Sequence, residues 1–218
     1  MHTARPSSRS DNCRVPEFAP LRDQDVDRDP LRQFTAWYQD AHASGLREPA
    51  AVAVATSTPD GVPSVRMVLL KGFDERGFVF FTNYESRKGR ELEADPRAAM
   101  LFYWDPLGRQ VRIEGPVART SAEDSAEYVR SRARGSQLSA LASPQSQEVP
   151  DREWLEQRVS ELAEQFRDAE LPLPRAWGGF RLAPERYEFW QHRDDRLHDR
   201  VVYTPGDGGG WALKRLAP

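Results

Sequence analysis

The chain has 218 residues, 39% of them hydrophobic and 30% charged, and its 31 basic and 34 acidic side chains leave a net charge of −3. This composition predicts a globular protein rather than a disordered one, and the charge balance gives no overall attraction to nucleic acid. No apolar run approaches the roughly 20 residues that span a bilayer, the polar residues 1–14 lack the apolar core of a secretory signal, and Cys13 is the single cysteine. We therefore expect a cytoplasmic protein with no membrane partner, no disulfide within the chain and no cysteine metal cluster.

The first part of the chain divides into an arm, a helix and a series of strands. Residues 1–28 show no hydrophobic periodicity and are interpreted as a flexible N-terminal arm. Asp29 and Pro30 then predict a capped helix that ends at Gly45. Turn signals separate the segments that follow, and Ser86 predicts the cap of a short helix among them. The predicted strands are 51–56, 65–71, 78–82, 98–104 and 110–120.

The second part of the chain is first helical and then returns to strands. One helix is predicted from Ser121 to about Ser131, and a longer amphipathic helix from Asp151 to about Asp168. The section 178–216 again has the short apolar segments of strands. Hairpin-sized connections predict an antiparallel sheet that closes into a barrel. A single α+β domain over residues 29–218, mostly β, is the simplest account.

A cluster of charge follows the apolar, strand-like segment 187–191. In an extended chain Arg196, His198 and Arg200 would point to the same side. Like charges on one face repel each other unless an anion lies among them. A salt-bridged edge strand is the alternative interpretation, and we favour a site that binds an anionic ligand.

A second cluster places Arg87 and Lys88 in the first turn of the helix predicted after Ser86. Cations at a helix N-terminus oppose the helix dipole, at a cost of about 0.3–1 kcal/mol each. A phosphate bound by the helix N–H groups and by these cations would explain their position. Arg66 and Lys71 bracket an apolar strand that the pattern predicts to be largely buried. Either they reach past the strand to solvent or they mark two ends of a ligand groove, and the sequence does not decide.

A third cluster joins Tyr128 and Arg132, four residues apart on one predicted helix face, with Ser136. Their phenol, guanidinium and hydroxyl groups suit a second phosphate. The alternative is that the basic residues stabilise the C-terminus of the helix through its dipole.

Aromatic and histidine side chains give weaker signals. Trp190 and other aromatic residues of the strands would stack on a planar cofactor, although such residues more often belong to a core. His42 and His192 have no partners at metal-ligand spacing, so no metal site is predicted.

Together these segments closely resemble the pyridoxine (pyridoxamine) 5′-phosphate oxidase family, whose members are FMN enzymes with a split β-barrel fold. The resemblance covers Asp29 to Pro218, nearly the whole chain beyond the arm. The motifs that carry it are RMVLLKGFDERGFVFFTNYESRKGREL at 66–92, FYWDPLGRQVRIEGPV at 102–117, YVRSRARGSQ at 128–137, PQSQEVPDREWL at 144–155, WGGFRL at 177–182, EFWQ at 188–191, RLHDR at 196–200 and a terminal RLAP.

By this resemblance the fold is an antiparallel, Greek-key-like FMN-binding split β-barrel with flanking helices, and the protein is a homodimer with FMN at the subunit interface. The resemblance also implies oxidation of pyridoxine 5′-phosphate and pyridoxamine 5′-phosphate to pyridoxal 5′-phosphate, with O₂ as electron acceptor and H₂O₂ as product. The residues implied to hold FMN are Arg66, Met67, Val68, Leu69, Lys71, Phe81, Thr82, Arg87, Lys88, Gln110, Gln145, Ser146, Trp190 and Arg200. Those implied to bind the substrate are Lys71, Tyr128, Arg132, Ser136, Arg196 and His198, of which Arg196 and His198 are also implied to be catalytic.

Two other functions compete with this one. A related flavin oxidase of the phenazine type would act on another reduced ring, but it would not need the phosphate donors of the third cluster. A non-catalytic protein that binds flavin or pyridoxal phosphate would not need the charged run at 196–200. We therefore favour the oxidase of vitamin B6 metabolism.

Overall fold

The computed structural model describes residues 18–218, which form five α-helices, ten strands and two short 3₁₀ turns. None of the helices in this range is long and apolar enough to cross a membrane. The elements are α1 Pro30–Ala43, β1 Ala51–Ser57, β2 Pro63–Leu69, β3 Gly72–Asp74, β4 Gly77–Asn83, α2 Arg87–Ala94, β5 Arg97–Trp104, β6 Arg109–Arg119, α3 Ala122–Ser131, α4 Arg134–Ala142, α5 Arg152–Gln165, β7 Trp177–Leu182, β8 Arg186–Gln191, β9 Asp199–Pro205 and β10 Trp211–Arg215.

The predicted helix caps are confirmed, and one helix was not predicted. Asp29 caps α1, Ser86 caps α2 and Ser121 caps α3, each through a side-chain oxygen that accepts a backbone N–H. The additional helix, α4, follows Ala133, which offers no side-chain cap, and it contains glycine and serine residues that form helices poorly. The sequence therefore has no capping residue that would predict where α4 begins.

The sheet is antiparallel throughout and curls around one core. Its strand order is β10-β9-β8-β6-β5-β1-β2, while β4 pairs with β3 and β7. The long strand β6 belongs to both parts, since its first half pairs with β8 and its last residues, 117–119, pair with β7. Strands β2 and β4 approach each other, but no ladder joins them among the described strands. We call this opening the seam, and it makes the fold the expected split β-barrel.

One aromatic side chain of α1 fills the barrel. Phe34 is fully buried, and its ring meets those of Phe73, Phe78 and Phe102 edge-on at centroid distances of 5.0, 4.8 and 5.1 Å. Edge-to-face contacts of this kind are favourable because the positive edge of one ring faces the negative face of another. Helix α1 is therefore part of the core.

Strand β2 is not buried as predicted. Val65, Met67 and Leu69 are 68, 62 and 37% exposed, and Leu101 and Tyr103 of β5 are 36 and 55% exposed beside them. These five residues define what we call the outer sheet face. The apolar run 67–70 misled the prediction because Met67 and Leu69 lie with Val65 on the outer side of the strand, whereas Arg66 and Val68 lie on the other side. A continuous apolar face of this kind is typical of an interaction surface.

Parts of the described segment before α1 pack against the sheet. Leu21 and Val26 are each 7% exposed, and the Leu21 N–H donates to Asp199 at 3.0 Å. The Phe18 ring lies 5.7 Å from that of His192. This part of the segment interpreted as an arm is therefore packed, and residues 1–17 lie outside the described range.

Removing the ring of Phe34 tests the role of α1. We expect Phe34→Ala to lower the free energy of unfolding by about 3–5 kcal/mol, because it leaves a cavity among aromatic rings. Arg32→Ala, on the same helix with its side chain 77% exposed, is the control and should change stability by less than about 0.5 kcal/mol. Urea unfolding followed by tryptophan fluorescence measures both, and similar losses in the two variants would contradict this view of the core.

Candidate active site

A buried ammonium group lies at the start of α2, beside the seam. Lys88 is 8% exposed, and its Nζ donates to Thr82 Oγ1 at 3.0 Å, to Gln145 Oε1 at 3.0 Å and to Ser86 Oγ at 3.3 Å. These three partners are all neutral. Burial, together with the positive charge of Arg66, lowers the pKa of Lys88 to about 8, and the opposing effect of Glu91 does not cancel it. A buried cation with neutral partners is the donor set that a phosphate ester would complete.

Two more cations share one buried carboxylate next to this lysine. Arg66 Nη2 lies 3.2 Å from Glu91 Oε2, and Arg87 Nε lies 2.8 Å from Glu91 Oε1. The Arg66 guanidinium also donates to the Val54 carbonyl at 3.1 Å. Arg66 therefore points inward, and the alternative that it reaches past the strand to solvent is wrong. Glu91 was not singled out from the sequence, although its i, i+4 spacing from Arg87 is a recognisable signal.

Glu91 stays ionised in this environment. Burial by itself would raise the pKa of its carboxyl group, but hydrogen bonds from two hydroxyl groups and two guanidinium groups outweigh burial and lower the pKa to about 2. The hydroxyl groups belong to Ser64 and Thr56, both 2.5 Å from Oε2. The carboxylate is thus fully engaged by its neighbours.

A pocket of about 430 Å³ opens at the seam and collects most of the predicted residues. Cavities of about 620 and 670 Å³ elsewhere in the described chain contain none of them. Strand β2 ends its sheet, so alternate backbone groups along its pocket side have no strand partner. The predicted residues that line the pocket are Met67, Val68, Leu69, Lys71, Phe81, Thr82, Lys88, Tyr128, Arg132, Ser136 and Gln145.

The third predicted cluster forms one wall of this pocket. The Tyr128 ring stacks on Phe81 with centroids 3.8 Å apart, and burial raises the pKa of Tyr128 despite the nearby Arg132, so the phenol remains a donor. The Arg132 guanidinium lies over the Trp177 ring, 4.7 Å from its centroid. Arg132 Nη1 and Trp177 Nε1 are buried without a hydrogen-bond partner within residues 18–218. Unpaired buried donors at a pocket wall indicate that a ligand completes them.

The helix-capping alternative holds in part, because Arg130 lies in the last turn of α3 and Arg132 is its C-cap residue, whose backbone N–H donates to the Val129 carbonyl, although the Arg132 guanidinium lies over Trp177. Arg134 donates to the carbonyl oxygens of Phe166 and Ala169 just beyond α5. Ser136 lies in the first turn of α4, whose cap residue Ala133 supplies no side-chain acceptor. The first N–H groups of a helix have no partner within it, so this end of α4 adds donors suited to an anion.

A second group of predicted residues lies on β6, β8 and β9. Gln110 pairs with Trp190, and Trp190 pairs with Arg200, in adjacent strands. Arg200 Nε donates to the buried Glu188 at 2.9 Å. The His198 ring lies 4.6 Å from that of Trp190. These four predicted residues are therefore neighbours.

The run at 196–200 is not one extended segment. Asp195 and Arg196 have φ angles of 55° and 62°, in the left-handed region, and β9 begins only at Asp199. The connection between β8 and β9 must reverse direction, and this tight turn accomplishes it. The prediction that Arg196 points with His198 and Arg200 is therefore wrong for Arg196, which is exposed at the tip.

Two further predicted residues have distinct surroundings. His198 Nδ1 accepts the Arg193 N–H at 3.1 Å, so the neutral ring carries its proton on Nε2. Burial and the positive charge of neighbouring groups lower the pKa of His198, which favours this neutral form. Ser146 is exposed next to Gln145 with φ 68°. No group of three or more His, Cys, Asp or Glu side chains within residues 18–218 is arranged to hold a metal ion.

Within one chain, the residues of the seam pocket and the group on β6, β8 and β9 are far apart. In the strand order, β8 is four strands from β2, which is about 19 Å along the sheet at roughly 4.8 Å per strand. The outer sheet face lies between them, since Met67 is in register with Ala53 and Ala53 with Leu101.

Comparison with known proteins shows the family of the chain. Residues 38–166 match the family model described as pyridoxamine 5′-phosphate oxidase, and residues 177–218 match that of the pyridoxine 5′-phosphate oxidase C-terminal dimerisation region. The chain belongs to this family. The resemblance noted in the sequence is therefore confirmed, and the chain is an oxidoreductase by family.

Individual relatives cover nearly the whole chain. A pyridoxine/pyridoxamine 5′-phosphate oxidase of Rubrobacter xylanophilus is 56% identical over 200 residues, 92% of each chain. A chloroplastic one of Arabidopsis thaliana is 52% identical over 91% of this chain and 38% of its own. Among solved structures, PhzG from Burkholderia lata 383, in complex with tetrahydrophenazine-1-carboxylic acid, has a TM-score of 0.86 at 34% identity and covers 93% of this chain and 100% of its own. An FMN-binding protein of Nostoc punctiforme, at 19% identity and a TM-score of 0.67, shares the fold.

The lowered pKa of Lys88 is directly measurable, because the chain has only three lysines, at 71, 88 and 214. In protein free of ligand, we expect the Lys88 side-chain carbon signal to titrate with a midpoint near pH 8. Carbon-13 NMR of labelled lysine measures it, and the variant Lys88→Met assigns the signal by its loss. A midpoint at or above the usual lysine value of about 10.4 would contradict the buried, neutral surroundings described for the ammonium group.

Proposed function

We propose that this protein is an FMN-dependent oxidase that converts pyridoxine 5′-phosphate and pyridoxamine 5′-phosphate to pyridoxal 5′-phosphate, using O₂ and releasing H₂O₂. The observation that carries the proposal is the presence of two separate sets of anion donors around one pocket, one at Lys88 and one at Arg132. Two phosphate-bearing ligands lying side by side would use both sets. The names of relatives with more than 50% identity support the same substrates.

The cofactor phosphate is assigned to the cations at the seam. Arg66, Arg87 and Lys88 would neutralise it, and the neutral partners of Lys88 would keep that ammonium in place. The free edge of β2 would offer backbone groups to the rest of the cofactor. When bound, FMN supplies the redox chemistry, namely acceptance of a hydride from C4′ of the substrate and transfer of the electrons to O₂.

The substrate phosphate is assigned to the other wall. Arg132 has an unpaired Nη1 there, and its stacking on Trp177 fixes the plane of the guanidinium. Tyr128 and Ser136 add hydroxyl groups, and Lys71 adds a positive charge at the pocket margin. Such a donor set favours a phosphorylated substrate over an unphosphorylated ring.

Arg196 and His198 are proposed to hold the substrate ring against the flavin. His198 would donate from Nε2, because its Nδ1 already accepts a backbone N–H. Arg196 is exposed at the tip of its turn and so is free to reach a ligand. Oxidation of the alcohol gives the aldehyde directly, whereas oxidation of the amine gives an imine that water hydrolyses to the aldehyde and ammonia.

Each complete site is proposed to need two chains. The region matched as a dimerisation region, 177–218, contains Trp190, Arg196, His198 and Arg200. A two-fold axis at the outer sheet face would cover its exposed apolar side chains. It would also carry this group from one protomer to the seam pocket of its partner.

The likeness to PhzG favours one alternative, an oxidase acting on a tricyclic reduced ring. Oxygen consumption with pyridoxine 5′-phosphate, compared with a tetrahydrophenazine carboxylic acid, decides between them. A protein that binds flavin but reacts with neither would be a binding protein only.

The activity assay also tests Arg196. We expect the FMN-loaded protein to release one H₂O₂ for each pyridoxal phosphate formed, and Arg196→Ala to lower kcat by about a hundredfold because the ring is no longer held in a reactive position. Its flavin absorbance should be unchanged. Arg97→Ala, an exposed arginine paired with Glu185, is the control, and near-normal turnover in Arg196→Ala would remove this residue from the mechanism.

Mixing two inactive variants tests the shared site. Arg132→Met and His198→Ala chains, refolded together, should recover about a quarter of normal activity, since half of the two-fold dimers are hybrids with one intact site. A mixture of Arg132→Met and Lys71→Met chains should recover no activity. Both residues line the seam pocket of the same chain, so every pocket in a hybrid dimer carries one of the two changes. Absence of recovery in the first mixture would show that each chain builds its own site.

A further inference from the structure

Within residues 18–218, Glu91 is the single carboxylate in direct contact with the arginines of the seam, and it lies behind them. Its side chain is 4% exposed, and it is not among the residues that line the pocket. Oε2 accepts from Arg66, Thr56 and Ser64. Oε1 accepts from Arg87 Nε at 2.8 Å. Both oxygens are therefore occupied by protein donors.

These contacts fix two guanidinium groups that come from different elements. Arg66 belongs to β2 at the edge of the sheet, and Arg87 belongs to the first turn of α2. Arg66 side-chain exposure is 20%, whereas that of Arg87 is 55%. Because Glu91 engages Arg87 through Nε, both terminal nitrogens of that guanidinium remain available to a ligand.

The charges of the three cations at the seam and of Glu91 also match one particular ligand class. Arg66, Arg87 and Lys88 carry three positive charges, and Glu91 carries one negative charge, which leaves two positive charges. A phosphate monoester has a second pKa of about 6 and is close to a dianion at neutral pH. The cluster is thus neutral when one such ester is bound and would be overcharged without Glu91.

We propose that Glu91 is a positioning residue for the phosphate ester of the flavin: it holds Arg66 and Arg87 in the orientation that the ester needs, without touching it. This inference rests on the proposed function. Side chains that are already ordered lose less entropy when they bind a ligand, so the effect of Glu91 should appear as affinity for the phosphate.

A purely structural role for Glu91 is the competing explanation. Its bonds to Thr56 and Ser64 tie α2 to the edge of the sheet, so its loss also affects folding. Riboflavin separates the two roles, because it has the same ring and side chain as FMN but no phosphate. Damage to the fold weakens binding of both flavins, whereas misplaced arginines weaken binding of FMN alone.

The test compares the affinities of FMN and riboflavin for the flavin-free protein by quenching of flavin fluorescence. The wild type should prefer FMN, and Glu91→Gln should reduce the FMN-to-riboflavin affinity ratio by about tenfold, as expected for one lost charge-assisted hydrogen bond. The affinity for riboflavin should not change. Asp74→Asn removes a carboxylate 2.6 Å from Arg181, away from the pocket, and should leave the ratio unaltered.

An unchanged ratio in Glu91→Gln, or an equal weakening of both flavins, overturns the inference. If Glu91→Gln does not fold, Glu91→Asp gives the same test, because a side chain shorter by one methylene keeps its charge but withdraws from Arg87. A wild type with no preference for FMN would instead contradict the proposed cofactor site itself. The two failures are therefore distinguishable.

Discussion

Uncompensated positive charge at the seam is the constraint on which the site depends. Lys88 is buried among neutral groups, and Arg66 and Arg87 share a single carboxylate, Glu91. Removing cations from water is unfavourable unless an opposite charge is near. The rigid strands and the capped helix α2 hold these groups in place nevertheless. The proposed anion site is thus already in place in the protein alone.

The position of β2 at the end of its sheet leaves the seam open, and the same strand carries part of the outer sheet face. Strand β2 ends its sheet, so one edge faces the pocket and one side of its surface faces away from the core. Met67 illustrates both, since it lines the pocket and is 62% exposed. The same strand therefore lines the proposed ligand pocket and, in the proposed dimer, makes contact between protomers. A barrel closed between β2 and β4 would not offer the free edge.

Much of this architecture could be predicted from local patterns. The caps at Asp29 and Ser86 and the cluster of Tyr128, Arg132 and Ser136 depend on short spacings, and the structure reproduces them. The direction of Arg196 could not be predicted, because residues with positive φ other than glycine leave little trace in a sequence.

Other features depend on contacts between distant segments. Glu91 and Arg66 are 25 residues apart in the chain. No local sequence pattern predicts that they form an ion pair. The exposure of β2 was mispredicted for a related reason. In the proposed dimer these apolar side chains meet a second protein molecule, and because such side chains resemble those of a core, the pattern predicted a buried strand.

The shared strand β6 has a further consequence. It is 11 residues long and carries Gln110 near one end, while its other end pairs with β7, the strand in which Trp177 supports Arg132. Inserting one residue in its middle would turn all later side chains to the opposite surface. In the proposed dimer such an insertion would displace parts of two different sites at once. The length of β6 thus fixes the spacing of both groups of residues. We therefore expect length differences among homologous chains to occur in the hairpins and not in β6.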